Sequence, residues 1–244
     1  MRLLLDIGNT AMKWRCYGED GVTQGDAVHG RDWEALVSNQ SIPWPGLTRI
    51  DIASVAGREA DQALAAAITR QVPVVPVFYY STAEDCGVRN AYAEPARLGV
   101  DRWLAVIEAW HRHGPAIIVD CGSALTLDAV NVHGQHLGGY IVPGLGMLER
   151  SLVQGTGSVR LGDAELADVL TPGRSTAEGV RHGILRMTVA FITDGVVALR
   201  EGLPDTARVL LTGGDAARVA RLLPLMAELA PDLVLDGLER VTAP

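Results

Sequence analysis

The sequence predicts an α/β protein made of two related halves, each a mixed β-sheet flanked by helices. The first observation is a repeat, since Leu3–Thr10 reads LLLDIGNT and Ile117–Ala124 reads IIVDCGSA. Each copy is an apolar run typical of a buried strand, followed by an Asp-x-Gly turn signal. The copies stand nearly half of the 244-residue chain apart, which indicates a duplication. Composition agrees, because 48% of residues are hydrophobic and only 5% aromatic, and an aliphatic core suits a sheet covered by helices.

Further elements follow each repeat in a similar order. After each turn the sequence predicts a β-hairpin, closed by Glu19-Asp20-Gly21 in the first half and by Asn131-Val132-His133-Gly134 in the second. The predicted strands are Met12–Tyr17, a strand from Val22, Arg49–Val55, Val74–Tyr79, Leu125–Val132, Leu137–Val142 and Arg208–Thr212. The predicted helices are Asp32–Ser38, Ala60–Arg70, Arg102–His111, Met147–Gln154, Thr176–Arg200 and Ala216–Leu229. Gly114-Pro115 is the predicted joint, so the expected domains are residues 1–113 and 114–244.

Charge and cysteine content narrow the function classes. The formal net charge of −8 disfavours non-specific binding to nucleic acid or to an anionic membrane. Cys16, Cys86 and Cys121 are an odd number with no CxxC spacing, which fits a reducing compartment rather than a disulfide framework. The chain lacks the charged head and cleavage site of a signal peptide, and no stretch reaches the length of a membrane span. We therefore expect a cytoplasmic protein with neither a nucleic acid nor a membrane as partner.

The first Asp-Gly turn has the residue types of a phosphate-binding loop. Gly8 lets the backbone approach a phosphate closely, and Asn9 and Thr10 add side-chain donors. Lys13 can bring a positive charge to the β- and γ-phosphates, and Asp6 is placed to hold Mg²⁺ directly or through water. The alternative is an ordinary tight turn beside an exposed lysine, and the recurrence of the turn favours function.

The second turn repeats the carboxylate and the hydroxyl but not the lysine. Asp120 follows a buried strand and Ser123 supplies a donor, while Thr126 and Asp128 continue the next strand. Two facing Asp-Gly turns would form the two-sided phosphate clamp that phosphoryl transfer requires. Cys121 is interpreted as a small buried residue and not as a nucleophile.

A third candidate, Gly99-Val100-Asp101-Arg102, stands directly before an apolar helical pattern. One reading makes Asp101 a helix N-cap, which is a common use of Asp. The other makes Asp101 the base that accepts a substrate hydroxyl proton, with Arg102 holding an anion. The two readings do not exclude each other, and the sequence weights them evenly.

Other polar groups are weaker candidates. His111 with His113, and His133 with His136, lack the accompanying residues of a zinc site. Gly213-Gly214 follows a strand and opens a helix, so it could face the adenosine of ATP or be a plain strand-to-helix turn. The remaining candidates for anion contacts are Arg174, Arg181 and Arg186, although helix surfaces often carry such charges.

Taken in order, the motifs resemble those of the type III pantothenate kinase family. They are DIGNT at 6–10 with Lys13, GVDR at 99–102, DCGSALTLD at 120–128 and GGYIVPG at 138–144. The match spans nearly the whole chain, and its one departure is Ser123, where the family usually has Thr. The resemblance implies the superfamily of acetate kinase, sugar kinases, Hsp70 and actin, with two duplicated ribonuclease H-like (actin-like ATPase) domains.

The resemblance also implies site roles and partners. The loop from Asp6 to Lys13 is expected to hold the ATP phosphates, with Ser123 as a second phosphate contact. Expected contacts of pantothenate are Tyr92, Gly99, Val100, Asp101, Arg102 and Thr176, with Asp101 as the proton acceptor. Asp120 corresponds to the ligand of a monovalent cation, K⁺ or NH₄⁺, used beside Mg²⁺ and ATP. Family members are homodimers, with the pantothenate pocket near the subunit interface. The implied activity is ATP-dependent phosphorylation of pantothenate to 4'-phosphopantothenate, the first step of coenzyme A biosynthesis.

Two alternatives remain at this point. One is another phosphoryl-transfer enzyme of the superfamily, such as a sugar kinase or an exopolyphosphatase-like hydrolase, against which the GVDR motif and the short chain argue. The other is a non-enzymatic accessory regulatory protein of the same family, for which the sequence offers no basic stripe and no convincing helix-turn-helix.

Overall fold

The computed structural model describes residues 1–38, 41–155 and 167–243 and divides the chain into two compact units. Unit 1 comprises Met1–Glu108 with Asp232–Pro244, and unit 2 comprises Ala109–Pro231. The predicted domains, 1–113 and 114–244, stay a prediction, since compactness in space and duplication along the chain are separate properties.

The elements up to residue 113 follow the predicted order, with two short strands and a 3-10 turn added before α3 that were not predicted. In chain order they are β1 (Arg2–Ile7), β2 (Ala11–Gly18), β3 (Gly21–Val28), α1 (Trp33–Val37), β4 (Arg49–Ser54), α2 (Arg58–Gln71), β5 (Val77–Tyr79), β6 (Glu84–Asp85), β7 (Val88–Arg89), a 3-10 turn (Pro95–Arg97) and α3 (Val100–His113).

The rest of the chain begins with the second copy of the motif strand. Its elements are β8 (Ala116–Cys121), β9 (Ala124–Val130), β10 (His136–Pro143), α4 (Leu145–Gly155), α5 (Thr176–Arg200), β11 (Arg208–Thr212), α6 (Ala216–Ala220), β12 (Glu228–Leu229) and α7 (Leu233–Val241).

Each unit contains a five-stranded sheet, and the two sheets have the same topology. The strand orders are β3-β2-β1-β4-β5 and β10-β9-β8-β11-β12. In both, the first three strands of the sequence form antiparallel hairpins, and the last two run parallel to the first. The duplication that two short motifs predicted is therefore seen in the topology of both complete sheets.

The two faces of the sheet in unit 1 have different character. Side chains alternate along a strand, so Leu3, Leu5 and Ile7 point to one face and join the core with Met12 and Trp14. The opposite face carries the polar row Asp6, Lys13, Arg15 and Tyr17, and α7 packs against β1, β2 and β4. Unit 1 thus buries one face entirely and keeps charged groups on the other.

The long helix α5 covers the sheet of unit 2. Its buried side chains, including Ile184, Leu185 and Ile192, pack with Ile117 and Val119 of β8. By length and composition alone α5 is long and apolar enough to cross a membrane. However, 44% of its most apolar stretch is buried inside the protein. Because the core helix of a soluble protein passes the same test, this feature is weak support for a membrane span.

The structure differs from the predicted elements at the C-terminal end. The predicted helix Ala216–Leu229 ends at Ala220, and Glu228–Leu229 is a short strand. Pro224 explains part of this, since the residue before a proline is disfavoured in helical conformation. The prediction also missed α7, which follows Ala230-Pro231 and packs in unit 1.

Candidate functional site

The first Asp-Gly motif forms the turn between β1 and β2. Asp6 lies near the end of β1 and pairs across the antiparallel ladder with Lys13. Directly opposite residues point to the same face, so the carboxylate and the ammonium share one face of the sheet. In the second copy Asp120 is opposite Thr126, which places a neutral hydroxyl where the first copy has the lysine.

Gly8 fixes the start of this turn. Its N–H donates to the Ala11 carbonyl at 3.0 Å, and a Cβ on Gly8 would stand 3.1 Å from that carbonyl oxygen. Asn9 and Thr10 are exposed at the tip. The tip of the turn therefore exposes two residues whose side chains can donate hydrogen bonds, as phosphate binding requires.

Lys13 also faces the start of α7. Its Nζ lies 4.0 Å from Asp232 Oδ1, and about a third of each side chain is exposed. Asp232 holds the N-cap position of α7, yet its side chain makes no capping hydrogen bond. Its Oδ2 instead accepts a hydrogen bond from Gln24 Nε2 at 3.3 Å and lies 3.7 Å from Arg15 Nη2.

Arg15 joins the same strand to α7 more tightly. Its Nη1 donates to Asp236 at 2.6 Å and to Glu239 at 3.1 Å. Burial lowers the pKa of Arg15, but hydrogen bonds to Asp236 and Tyr17 outweigh it and raise the pKa above its ordinary value. The guanidinium stays charged and attaches the C-terminal helix to the lysine-bearing strand.

The Gly99-Val100-Asp101-Arg102 stretch begins α3. The helix starts at Val100, so Asp101 lies within its first turn and is not the N-cap. A carboxylate there is favoured by the positive end of the helix dipole. Its Oδ1 accepts a hydrogen bond from the Arg102 N–H at 2.7 Å and lies 2.5 Å from where a Gly99 Cβ would stand. Glycine at 99 therefore leaves room for the Asp101 carboxylate.

Arg102 and Tyr92 are in direct contact. Arg102 is only 5% exposed, and its Nη1 donates to the Tyr92 hydroxyl at 3.0 Å. The guanidinium also lies 5.9 Å from the centre of the Tyr92 ring. Asn90 positions this segment, because its Oδ1 accepts from the Tyr92 N–H and its Nδ2 donates to Thr82. Two residues that the resemblance assigns to pantothenate are thus brought together.

Val55 connects the two candidate regions of unit 1. Its N–H donates to the Ile7 carbonyl at 3.0 Å, directly beside the first turn. Its Cγ1 lies 3.9 Å from the position of a Gly99 Cβ. The phosphate-loop candidate and the start of α3 therefore lie at the same edge of the sheet, beyond the carboxyl ends of β1 and β4, where open α/β sheets bind ligands.

In unit 2 glycines surround the second Asp-Gly turn. A Cβ on Gly213, whose φ is +90°, would stand 2.3 Å from Asp120 Oδ1, and one on Gly122 would stand 3.3 Å away. Gly144 donates its N–H to the Ser123 carbonyl at 3.1 Å. A Gly144 side chain would meet the carbonyl oxygen of Gly122 at 2.2 Å. Asp120, Ser123 and the Gly213-Gly214 turn are therefore brought together, and Asp120 lies in a cradle that side chains would fill.

Burial raises the pKa of two neighbours of this turn. Burial, together with Asp120 and Asp215, raises the pKa of Cys121 to about 12, so the thiol is neutral. Burial also raises the pKa of Asp215, with Arg218 acting in the opposite direction and Glu149 adding to the rise. The structure agrees with the reading of Cys121 as a buried residue rather than a nucleophile.

Thr176 lies elsewhere in unit 2, at the exposed first residue of α5. It lines a mainly apolar cavity of about 560 Å³ between α4 and α5, with Leu148, Leu152 and Met187 among its neighbours. Two hydrogen bonds stabilise this helix start, since the N-cap Ser175 accepts from the Glu178 N–H and the Glu178 carboxylate accepts from the Arg174 N–H. The start of α5 therefore holds Thr176 at the wall of this cavity.

The sequence reasoning missed two residues that contact the candidate site. They are Asp232, which faces Lys13, and His29, whose ring contacts the Gly8 carbonyl at 3.0 Å. Neither belongs to a recognisable motif, and only the position of His29 after a predicted strand gave a signal. Within residues 1–38, 41–155 and 167–243, no group of three or more His, Cys, Asp or Glu side chains could hold a metal ion.

Comparison with known proteins gives a consistent result. The family model described as type III pantothenate kinase matches residues 2–198. A type III pantothenate kinase of Alcanivorax borkumensis is 50% identical over 100% of this chain and 99% of its own length. One from Chromohalobacter salexigens is 41% identical over 98% of this chain and 86% of its own.

Solved structures with low identity support the fold alone. A Campylobacter jejuni protein described as a Baf family transcriptional activator is 19% identical with a TM-score of 0.60, covering 98% of this chain and 96% of its own. A Sinorhizobium meliloti protein described as a 2-dehydro-3-deoxygalactonokinase is 14% identical with the same TM-score, covering 99% and 98%.

Proposed function

The chain belongs to the type III pantothenate kinase family, and from this premise we propose how its residues phosphorylate pantothenate with ATP. The reaction is the first step of coenzyme A biosynthesis, and the enzyme is a phosphotransferase with an alcohol group as acceptor. The observation that supports the residue assignment is the edge of the unit 1 sheet, where Val55 lies beside both the Asp6 turn and Gly99, the residue that Asp101 packs against.

Asp101 is the proposed proton acceptor. Its carboxylate takes the proton of the pantothenate hydroxyl while that oxygen attacks the γ-phosphorus of ATP. The bond from the γ-phosphorus to the bridging oxygen breaks, and ADP leaves with the electron pair. Arg102, fixed by Tyr92, and the backbone at Gly99 and Val100 orient pantothenate.

The first turn holds the nucleotide in this proposal. Asn9 and Thr10 donate to phosphate oxygens from the exposed tip, and Lys13 places its charge near the transferring group. Ser123 is the proposed second phosphate contact, and Thr176 is a proposed contact of the substrate.

Two cations fit the residues present. Asp6 offers the carboxylate oxygens that Mg²⁺ prefers, directly or through water, and Mg²⁺ bound with ATP would neutralise phosphate charge. Asp120 Oδ1, in its cradle of Gly122 and Gly213, would hold a monovalent cation, K⁺ or NH₄⁺, whose charge supports phosphate binding. Comparing turnover in K⁺ with turnover in Na⁺ tests the second assignment, and equal rates would remove it.

Replacing the proposed base gives the central test. In Asp101→Asn, kcat should fall by ~10²–10⁴, the usual contribution of a general base, because an amide cannot accept the hydroxyl proton. ATP affinity should be retained, since the first turn is untouched. The measurement is pantothenate-dependent ADP release together with equilibrium binding of ATP.

Asp20 provides the matched control for this test. It lies exposed in the β2–β3 turn, so Asp20→Asn changes the same functional group outside the site and should keep wild-type kcat. Near-normal kcat in Asp101→Asn would contradict the assignment of Asp101.

The enzyme is also proposed to act as a cytoplasmic homodimer. Support comes from the apolar face of unit 2, where Met147, Leu152, Val153 and Met187 are each at least 40% exposed. Large apolar side chains exposed on the same pair of helices, α4 and α5, are a feature of subunit interfaces when they form one patch. The cavity that contains Thr176 opens on this face, which fits a substrate pocket near the partner subunit.

A regulatory role is the second candidate, because a low-identity neighbour is described as a transcriptional activator. The net charge of −8 argues against direct contact with DNA. Binding of DNA at physiological salt without ATP or pantothenate would support that role.

A further inference from the structure

His29 is a buried side chain that touches the phosphate-loop candidate and that no motif identifies. It follows β3 and is 4% exposed. One ring nitrogen, Nε2, lies 3.0 Å from the Gly8 carbonyl oxygen. The other, Nδ1, accepts the Arg31 N–H at 3.0 Å. Because a carbonyl can only accept, Nε2 carries the proton, and both nitrogens of a neutral ring are satisfied.

The surrounding backbone holds the ring in this position. Gly30 and Arg31 have φ values of +50° and +65°, and the second is unusual for a residue with a side chain. This conformation brings the Arg31 N–H back to the His29 ring. The ring also stacks on Trp33 of α1, with centroids 4.8 Å apart. Local backbone strain held by its surroundings is often found where a functional group must be fixed.

His29 contacts the turn a second time through its backbone. Its N–H donates to the Thr10 carbonyl at 3.2 Å. The Gly8 N–H is bound to Ala11 and the Gly8 carbonyl to His29, so the peptide units on both sides of Gly8 are held. In a trans peptide the C=O and the next N–H point in opposite directions. When His29 binds the Gly8 carbonyl, the Asn9 N–H therefore points away from His29, at the exposed tip of the turn.

We propose that His29 is a positioning residue for ATP, which holds the Gly8 carbonyl and thereby directs the Asn9 N–H at a phosphate oxygen. This inference rests on the proposed role of the first turn as the nucleotide loop. It goes beyond that role because His29 touches neither substrate and acts only through the peptide that it orients.

Two substitutions separate the hydrogen bond from the ring. His29→Phe keeps an aromatic ring against Trp33 but has no donor for the Gly8 carbonyl. His29→Gln gives up the ring but can place an amide N–H near the former Nε2 position. Both keep the backbone bond to Thr10.

The expected result is a selective effect on nucleotide. In His29→Phe the affinity for a non-hydrolysable ATP analogue should fall about five- to tenfold, as for the loss of one hydrogen bond. The KM for ATP should rise in parallel, whereas the KM for pantothenate should not change. His29→Gln should restore ATP affinity to within about twofold of the wild type, since its donor replaces the lost bond.

Contrary results are equally definite. Wild-type ATP affinity in His29→Phe would overturn the proposal, as would equal weakening in both variants or equal increases in both KM values. NMR of ¹⁵N-histidine-labelled wild-type enzyme needs no variant, and a His29 ring protonated on Nδ1 alone would also overturn it. A wild-type protein that binds ATP but does not phosphorylate pantothenate would remove the proposed substrate and leave this test intact.

Discussion

At the scale of single residues, burial decides whether a reactive group is available. Cys121 lies beside Asp120 in the second turn, where a cysteine could be mistaken for a nucleophile. Its burial and the neighbouring carboxylates raise its pKa to about 12. A raised pKa keeps the proton on sulfur at every pH below that value, so the group remains a thiol throughout the neutral range.

The rate of alkylation of Cys121 measures how much of its thiol is deprotonated. At pH 8 the thiolate fraction of Cys121 should be about 10⁻⁴, so iodoacetamide should modify it far more slowly than free glutathione. The rate should rise about tenfold per pH unit up to pH 10, followed by mass spectrometry of the Cys121 peptide. Labelling in urea is the control for accessibility, and alkylation of the folded protein as fast as that of glutathione would contradict the expectation.

His29 and Asp232 are two contacts of the candidate site that sequence motifs did not predict. The DIGNT string and Lys13 could be selected as a phosphate-loop candidate from the sequence because such loops use a few residue types at short spacing. His29 reaches Gly8 through a turn from the next strand but one, and Asp232 reaches Lys13 from α7. Contacts between residues so far apart along the chain depend on the folded path, which spacing does not encode.

At the scale of elements, α7 depends on close packing. A Cβ on Gly237 would stand 2.3 Å from the Leu104 carbonyl oxygen, so glycine allows α7 to approach the backbone of α3. Leu233, Leu235 and Leu238 are buried by this approach, and Arg15 pairs with Asp236 and Glu239 beside it.

Gly237→Ala should therefore destabilise the protein, by about 1–3 kcal/mol, because a helix backbone cannot yield as a flexible side chain does. Gly183 in α5 is the matched control, since a Cβ there meets no atom within 4 Å. Gly183→Ala should stabilise by about 0.5–1 kcal/mol through helix propensity. Urea unfolding followed by circular dichroism measures both, and equal free energies of unfolding for Gly237→Ala and wild type would contradict the packing argument.

Element prediction succeeded where the chain has strong local signals. The helix Thr176–Arg200 and the strand Arg208–Thr212 were predicted with the bounds that the structure has. The error at Ala216–Leu229 arose because apolar residues there continue past α6 into a strand that pairs with β11. Strand pairing is a tertiary choice that overrode local propensity.

At the scale of the whole molecule, the exposed apolar residues of α4 and α5, the apolar face of unit 2, are the basis for expecting a homodimer. Met187 is 50% exposed and borders both the 560 Å³ cavity and a second cavity of about 240 Å³. Burial of this face against a second copy would remove it from water, which is the main driving force of association. A charge at its centre should oppose that burial.

Met187→Glu should therefore shift the protein from dimer to monomer in sedimentation at micromolar concentration. Met226→Glu makes the same substitution at a residue that is 94% exposed and outside this face, and it should leave the dimer intact. The homodimer proposal fails if the wild type is monomeric, and the interface assignment fails if both variants remain dimeric.

The sequence alone determined the duplicated α/β architecture and the family, because each depends on short motifs and on the period of apolar residues; its phosphate-binding residues stay a proposal. Only the tertiary structure decided that α7 returns to cover the face with Asp6 and Lys13, that Arg102 is held by Tyr92, and that His29 fixes Gly8. The physical reason is that such contacts join residues distant along the chain. Their partners are selected by the packing of complete sheets and helices, which no local pattern specifies.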